Sequence, residues 1–122
     1  MSVATDPDRA ARVLVVEDEM LVAMVLEDQL ADAGFKVVGP AFSVEEAMRL
    51  AASEPLDGAV LDINLAGEKV YPVADLLAAR NVPFVYVTGF GQAGMRDADQ
   101  GRPMLQKPYL FASLEAIVRG WR

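Results

Sequence analysis

Short, unbroken apolar runs alternate along the chain with segments whose apolar residues recur every three or four positions. Val13-Leu14-Val15-Val16, Gly58-Ala59-Val60-Leu61 and Pro83-Phe84-Val85-Tyr86-Val87 are runs of the first kind. Because they are continuous rather than alternating, they predict strands covered on both faces. The intervening segments read as helices. The first is expected over residues 20–33, with Val22, Val25, Leu26 and Leu30 on its buried stripe and Gly34 as its stop. Lys36-Val37-Val38-Gly39 predicts a short second strand. Ser43-Val44-Glu45-Glu46 is a capping box that starts a helix running to Ser53. The third strand is expected over 57–62, and Pro72 suits the first turn of a helix ending near Arg80. Strands over 82–88 and 103–106 and a last helix over 110–119 complete the pattern. This alternation predicts a doubly wound α/β fold. One element is weak: Gly91, Gly94 and Gly101 punctuate the segment between the last two strands. Each would cost a helix interior about 1 kcal/mol relative to Ala, so the fourth helix is expected to be short or frayed.

A length of 122 residues with 53% apolar content suits a single domain, assigned to residues 12–122, with 1–11 as a flexible lead-in. No apolar stretch is long enough to span a bilayer, and the start of the chain lacks the basic and apolar regions of a signal peptide. A soluble cytoplasmic protein without membrane contact is expected, and the absence of cysteine fits a reducing compartment. With neither Cys nor His, thiol chemistry, Cys/His zinc sites and histidine general bases are excluded. The chain cannot itself be a histidine kinase or a phosphohistidine carrier. A net charge of −7 without clustered Lys/Arg argues against a nucleic-acid surface.

The chemistry lies where the apolar runs end. The first closes on Glu17-Asp18, the third on Asp62, the fourth on Thr88-Gly89, and Pro103-Met104-Leu105-Gln106 closes on Lys107-Pro108. In a parallel sheet these groups gather outside the carboxyl ends of the strands, where open α/β sheets bind ligands. Three carboxylates there would repel one another, and a hard divalent cation such as Mg²⁺ relieves the repulsion while favouring phosphate oxygens. Asp62 is the candidate nucleophile toward a phosphoryl group. Lys107 would neutralise phosphoryl charge and Thr88 would donate a hydrogen bond to it. Taken singly, each residue has a plainer role: Glu17 and Asp18 suit a helix N-terminus, Thr88-Gly89 a turn, Lys107 a solvated loop. Their joint placement favours the site.

VLVVEDE, GAVLDINLAGE, VTG and QKPY, in that order, resemble a two-component response-regulator receiver domain over residues from Arg12 onward. The resemblance implies a flavodoxin-like (βα)5 fold with strand order 2-1-3-4-5, phosphorylated on Asp62 by a histidine kinase or a histidine phosphotransfer protein. It implies Mg²⁺ held directly by Asp18, Asp62 and the backbone carbonyl of Asn64, and by Glu17 through water. Thr88, Gly89 and Lys107 would surround the phosphoryl group, and the Lys107-Pro108 bond would be cis. Met104 departs from the family, which usually carries Tyr or Phe three residues before the lysine. PFVYVTGF with QKPY is similar, in part, to an alphaproteobacterial receiver subclass with a Phe-Ala-Thr-Gly-x-Tyr string, which also lacks that aromatic. Tyr109 is a candidate for part of the missing role, and Phe90 for shielding the acyl phosphate from water.

The expected function is that of a stand-alone receiver, monomeric or weakly dimeric. It would take a phosphoryl group and act through protein contacts or a phosphorelay, without enzymatic turnover beyond its own phosphorylation and dephosphorylation. Two rivals stand beside this reading. A non-switching interaction module finds support in Met104. A phosphatase with an Asp nucleophile would want an acid two residues beyond Asp62, where Asn64 stands. A flavin-binding reading rests on fold analogy alone.

Overall fold

The apolar runs assemble into one parallel sheet in a computed structural model that describes residues 10–89 and 95–122. Its strands are β1 (Arg12–Val16), β2 (Lys36–Ala41), β3 (Gly58–Asp62), β6 (Phe84–Thr88) and β7 (Met104–Gln106). Between β3 and β6 a small antiparallel hairpin intervenes, β4 (Asn64–Leu65) with β5 (Glu68–Lys69). The order across the main sheet is β2-β1-β3-β6-β7. This is the flavodoxin-like order of five parallel strands that the sequence resemblance implied.

Alternation along each strand divides the core into two layers. Val13 and Val15 of β1, Val60 of β3 and Val85 and Val87 of β6 face one side. They pack there against α1 (Met20–Asp32) and α4 (Phe111–Val118). Leu14 and Val16, Ala59 and Leu61, and Phe84 and Tyr86 face the other. That side is covered by α2 (Val44–Ser53) and α3 (Tyr71–Ala79). β3 and β6 are buried at every position, as continuous apolar runs require.

Several expectations shift in detail. Ala11, just ahead of β1, is buried, and its carbonyl accepts from the Lys36 N–H. β2 runs on through Pro40 to Ala41, beyond the expected Gly39, with an irregular register against β1. Proline is tolerated because β2 lies at the sheet edge. Ser43 caps α2 as expected, its hydroxyl accepting from the Glu46 N–H, while the Glu46 carboxylate reaches one residue further back to the Phe42 N–H. The buried stripe of α1 is a correction: Ala23, Leu26 and Leu30 face the sheet, whereas Val22 and Val25 are exposed. Residues 20–26 are apolar all round the helix, so their periodicity could not select the inner face. In the expected fourth-helix segment, the described residues form only a single 3-10 turn, Asp97–Asp99. A second such turn, Arg119–Trp121, follows α4. Among the described residues no helix is long and apolar enough to cross a membrane.

Candidate functional site

The carboxyl edge of the sheet collects the polar groups that end its strands. Asp62 is the last residue of β3 and is 7% exposed. Glu17, directly after β1, is 3% exposed, its N–H donated to the Ala41 carbonyl of β2 at 3.0 Å. Asp18 stands beside it and is half-buried. Carboxylate oxygens of Glu17, Asp18 and Asp62 lie within 4.8 Å of one another. Lys107, beyond the end of β7, reaches into the cluster and donates to Glu17 Oε2 at 2.8 Å and to Asp62 Oδ2 at 3.1 Å. Its own N–H is held by the Thr88 carbonyl at 2.8 Å, which ties the end of β6 to the lysine. Thr88 is buried, whereas Gly89 is exposed with open space where a side chain would begin. The Lys107–Pro108 peptide is cis, as is Gly39–Pro40.

Electrostatics follow from burial and pairing. Burial pushes the Glu17 carboxyl above its usual range, and the Lys107 hydrogen bond offsets this only in part. Burial alone would lower the Lys107 ammonium. The Glu17 hydrogen bond and the Asp62 charge outweigh it and hold the pKa above the ordinary value. Tyr109 is raised chiefly by burial. The site therefore keeps a firmly charged cation against a carboxylate that ionises with difficulty. An added cation would relieve that difficulty.

The donor set fits Mg²⁺. Oxygen-only ligation suits a hard cation, and an octahedron with bonds of about 2.1 Å spreads opposite oxygens about 4.2 Å apart, close to the spread of the three carboxylates. Glu17, Asp18 and Asp62 could all contribute. Asn64 stands two residues past Asp62, with its N–H 3.3 Å from Asp62 Oδ1.

The β4–β5 hairpin escaped the sequence reading, and it shapes the rim of the site. Ala66 and Gly67 both have positive φ and form its tight turn, for which glycine is well suited and alanine is not. That turn aims the Ala66 N–H at Asp18 Oδ2, at 2.8 Å. Lys69 donates to the Asn64 side chain from the returning strand. Ala66-Gly67 was the available turn signal, flanked by stretches too short to read as strands. Met104 is half-buried against the core layer under α2 and α3, in register beside Tyr86. Phe90, expected to shield the pocket, lies outside the described residues.

A doubly wound parallel sheet with an acidic cluster and a lysine at its carboxyl edge defines a class of acidic-pocket α/β domains. The family model for the response regulator receiver domain matches residues 13–119. The chain belongs to that family, whose members work in two-component signalling. Transcriptional regulatory protein PdtaR of Mycobacterium tuberculosis (strain H37Rv) is 33% identical over 116 residues, covering 90% of this chain and 57% of PdtaR. The chain thus spans a little over half the length of that relative. The solution structure of SdrG from Sphingomonas melonis Fr1 is 38% identical with a TM-score of 0.79, covering 92% of this chain and 96% of that one. The receiver domain of sensor histidine kinase PA1611 from Pseudomonas aeruginosa PAO1 is 26% identical with a TM-score of 0.79, covering 92% of this chain and 97% of that one. That neighbour is described with magnesium coordinated in its active-site cleft.

Proposed function

We propose that the chain accepts a phosphoryl group on Asp62 from a phosphohistidine of a kinase or phosphotransfer protein. The observation that carries this reading is the Asp62 carboxylate itself. It is held at the end of β3 with the Lys107 ammonium 3.1 Å away, inside a cluster of three carboxylates. An Asp62 oxygen forms a bond to phosphorus as the donor's P–N bond breaks, and the imidazole leaves. Lys107 faces the growing negative charge, and Thr88 lies at the adjacent strand end to donate to a phosphoryl oxygen. Mg²⁺, held by Asp18, Asp62 and the Asn64 carbonyl with Glu17 through water, would supply charge neutralisation between carboxylate and phosphoryl oxygens. These 122 residues contain no histidine, so the phosphohistidine that donates lies outside them. Asn64 occupies the place where a phosphatase would want a second acid, so turnover is not part of the proposal.

The α1 face suits the donor protein. Leu21 is 77% exposed and Val25 56%, and with Val22, Lys107, Tyr109 and Phe111 they line a groove of about 620 Å³ between α1 and the start of α4. Lys107 belongs to both groove and acidic cluster, so an apolar helix seated there would bring its histidine near Asp62.

Intact mass after incubation with Mg²⁺ and acetyl phosphate tests the acceptor. A single phosphoryl adduct in the parent that is lost in Asp62→Asn is expected. No adduct in a folded parent would favour the non-switching interaction reading that Met104 supports. An adduct surviving in Asp62→Asn would refute the assignment of the residue.

A further inference from the structure

The described residues just before β7 are fastened to the sheet by polar side chains. Three aromatic rings border the core layer under α2 and α3 there: Tyr71 of α3, and Phe84 and Tyr86 of β6, with Tyr86 edge-on to both others. Polar side chains cover them. Arg96 stacks over Tyr71 at 4.4 Å, and Arg102 over Phe84 at 4.3 Å. Between them Asp99, 3% exposed, accepts from the Tyr86 hydroxyl at 2.7 Å. Arg96 donates to Asp99 at 2.8 Å and, from the same guanidinium, to Asp75 of α3 at 2.8 Å. Burial would raise the Asp99 carboxyl, but hydrogen bonds from Arg96 and Tyr86 outweigh it and keep the acid ionised. A buried carboxylate with two donors is costly to strip of either.

Tyr86 sits two residues before Thr88 on β6, so both project to the same face of the strand. Lys107 is bound to the Thr88 carbonyl and to Asp62, so the acidic pocket grips the end of the strand whose middle carries Tyr86. Met104, the register neighbour of Tyr86, has neither ring nor hydroxyl to offer.

We propose that the Tyr86–Asp99–Arg96 cluster is a latch that reports the state of the Asp62 pocket to the surface around residues 95–102. This rests on Asp62 being the phosphoacceptor. Drawing Thr88 toward a phosphoryl group moves the end of β6, and a hydrogen bond made at 2.7 Å does not survive a displacement near an ångström. The latch opens on phosphorylation. Asp99 then keeps only Arg96, and the segment loosens from α3 and the sheet.

Hydrogen exchange with and without Mg²⁺ and acetyl phosphate, read beside intact mass, tests this. The amides of Asp99, Gln100 and Arg102 report directly, because each is hydrogen-bonded within the segment. In the parent they should exchange about tenfold faster once the adduct forms, as loss of one hydrogen bond to a charged group predicts. Tyr86→Phe deletes only the hydroxyl. It should exchange fast without phosphorylation and change little with it, while forming the same adduct. Asp99→Asn, which keeps an acceptor but removes the charge, should behave alike. An adduct in the parent without change at these amides would overturn the latch. So would a Tyr86→Phe protein that keeps the parent's phosphorylation-dependent response. Absence of the parent adduct would overturn the phosphoacceptor reading, and the latch with it.

Discussion

Gly58→Ala is the substitution whose cost the structure predicts most directly. Gly58 opens β3, opposite Val13 of β1, and the chain's single tryptophan, Trp121, stands against it. A Cβ at position 58 would stand 2.1 Å from Cε3 and 2.3 Å from Cδ2 of Trp121. Ordinary contact begins at 3.4 Å, so the ring must retreat by more than about 1 Å. Retreat unseats a half-buried indole that packs against the core layer under α1 and α4. If it loses about 100 Å² of covered apolar surface, the cost is about 2.5 kcal/mol. Alanine returns about 0.4–1 kcal/mol by restricting the unfolded chain. The net expectation is a loss of about 2 kcal/mol. Urea unfolding followed by circular dichroism measures it, and Trp121 fluorescence gives an independent signal of ring exposure. The cycle with Trp121→Ala isolates the clash: in that background Gly58→Ala should be neutral or slightly stabilising. A Gly58→Ala protein as stable as the parent, with an unchanged emission maximum, would refute the reasoning.

Replacing Leu21 and Val25 together by Glu should slow phosphoryl transfer from a protein donor about tenfold or more, as loss of buried apolar contacts in an interface does. Labelling by acetyl phosphate, which needs no docking face, should stay unchanged; equal slowing of both would place the defect in the pocket instead. Asp99→Asn should lower the melting temperature at neutral pH. The folded-state pKa of Asp99 lies below its ordinary value, so its contribution is complete above about 3.9 and fades as pH falls through the folded value. The gap between variant and parent should therefore narrow in melts taken toward pH 3, and a gap constant with pH would contradict the ionised latch.

The elements nearest the sheet were legible in the sequence because burial on both faces leaves little choice of residue. Val13 to Val16 and Phe84 to Val87 had to be apolar without a break, and the polar residue that ends each run marks where the sheet meets solvent. Glu17, Asp18, Asp62, Thr88 and Lys107 could thus be placed at one edge from strand ends alone. The inner face of α1 could not, because Met20 to Leu26 offer apolar residues in every direction. Only the packing of Ala23, Leu26 and Leu30 against the sheet decides it and leaves Leu21 and Val25 outside. The same holds for contacts made across the chain. Ala66 reaches Asp18 from 48 positions away, and Tyr86 reaches Asp99 from 13. Such pairs leave no periodic trace, since neither partner needs a particular neighbour in sequence. Local pattern therefore determined the strands, their order of polar ends and the candidate site. Tertiary structure alone decided which helix face stays open and which buried charge finds a partner, because both depend on what the rest of the fold brings alongside.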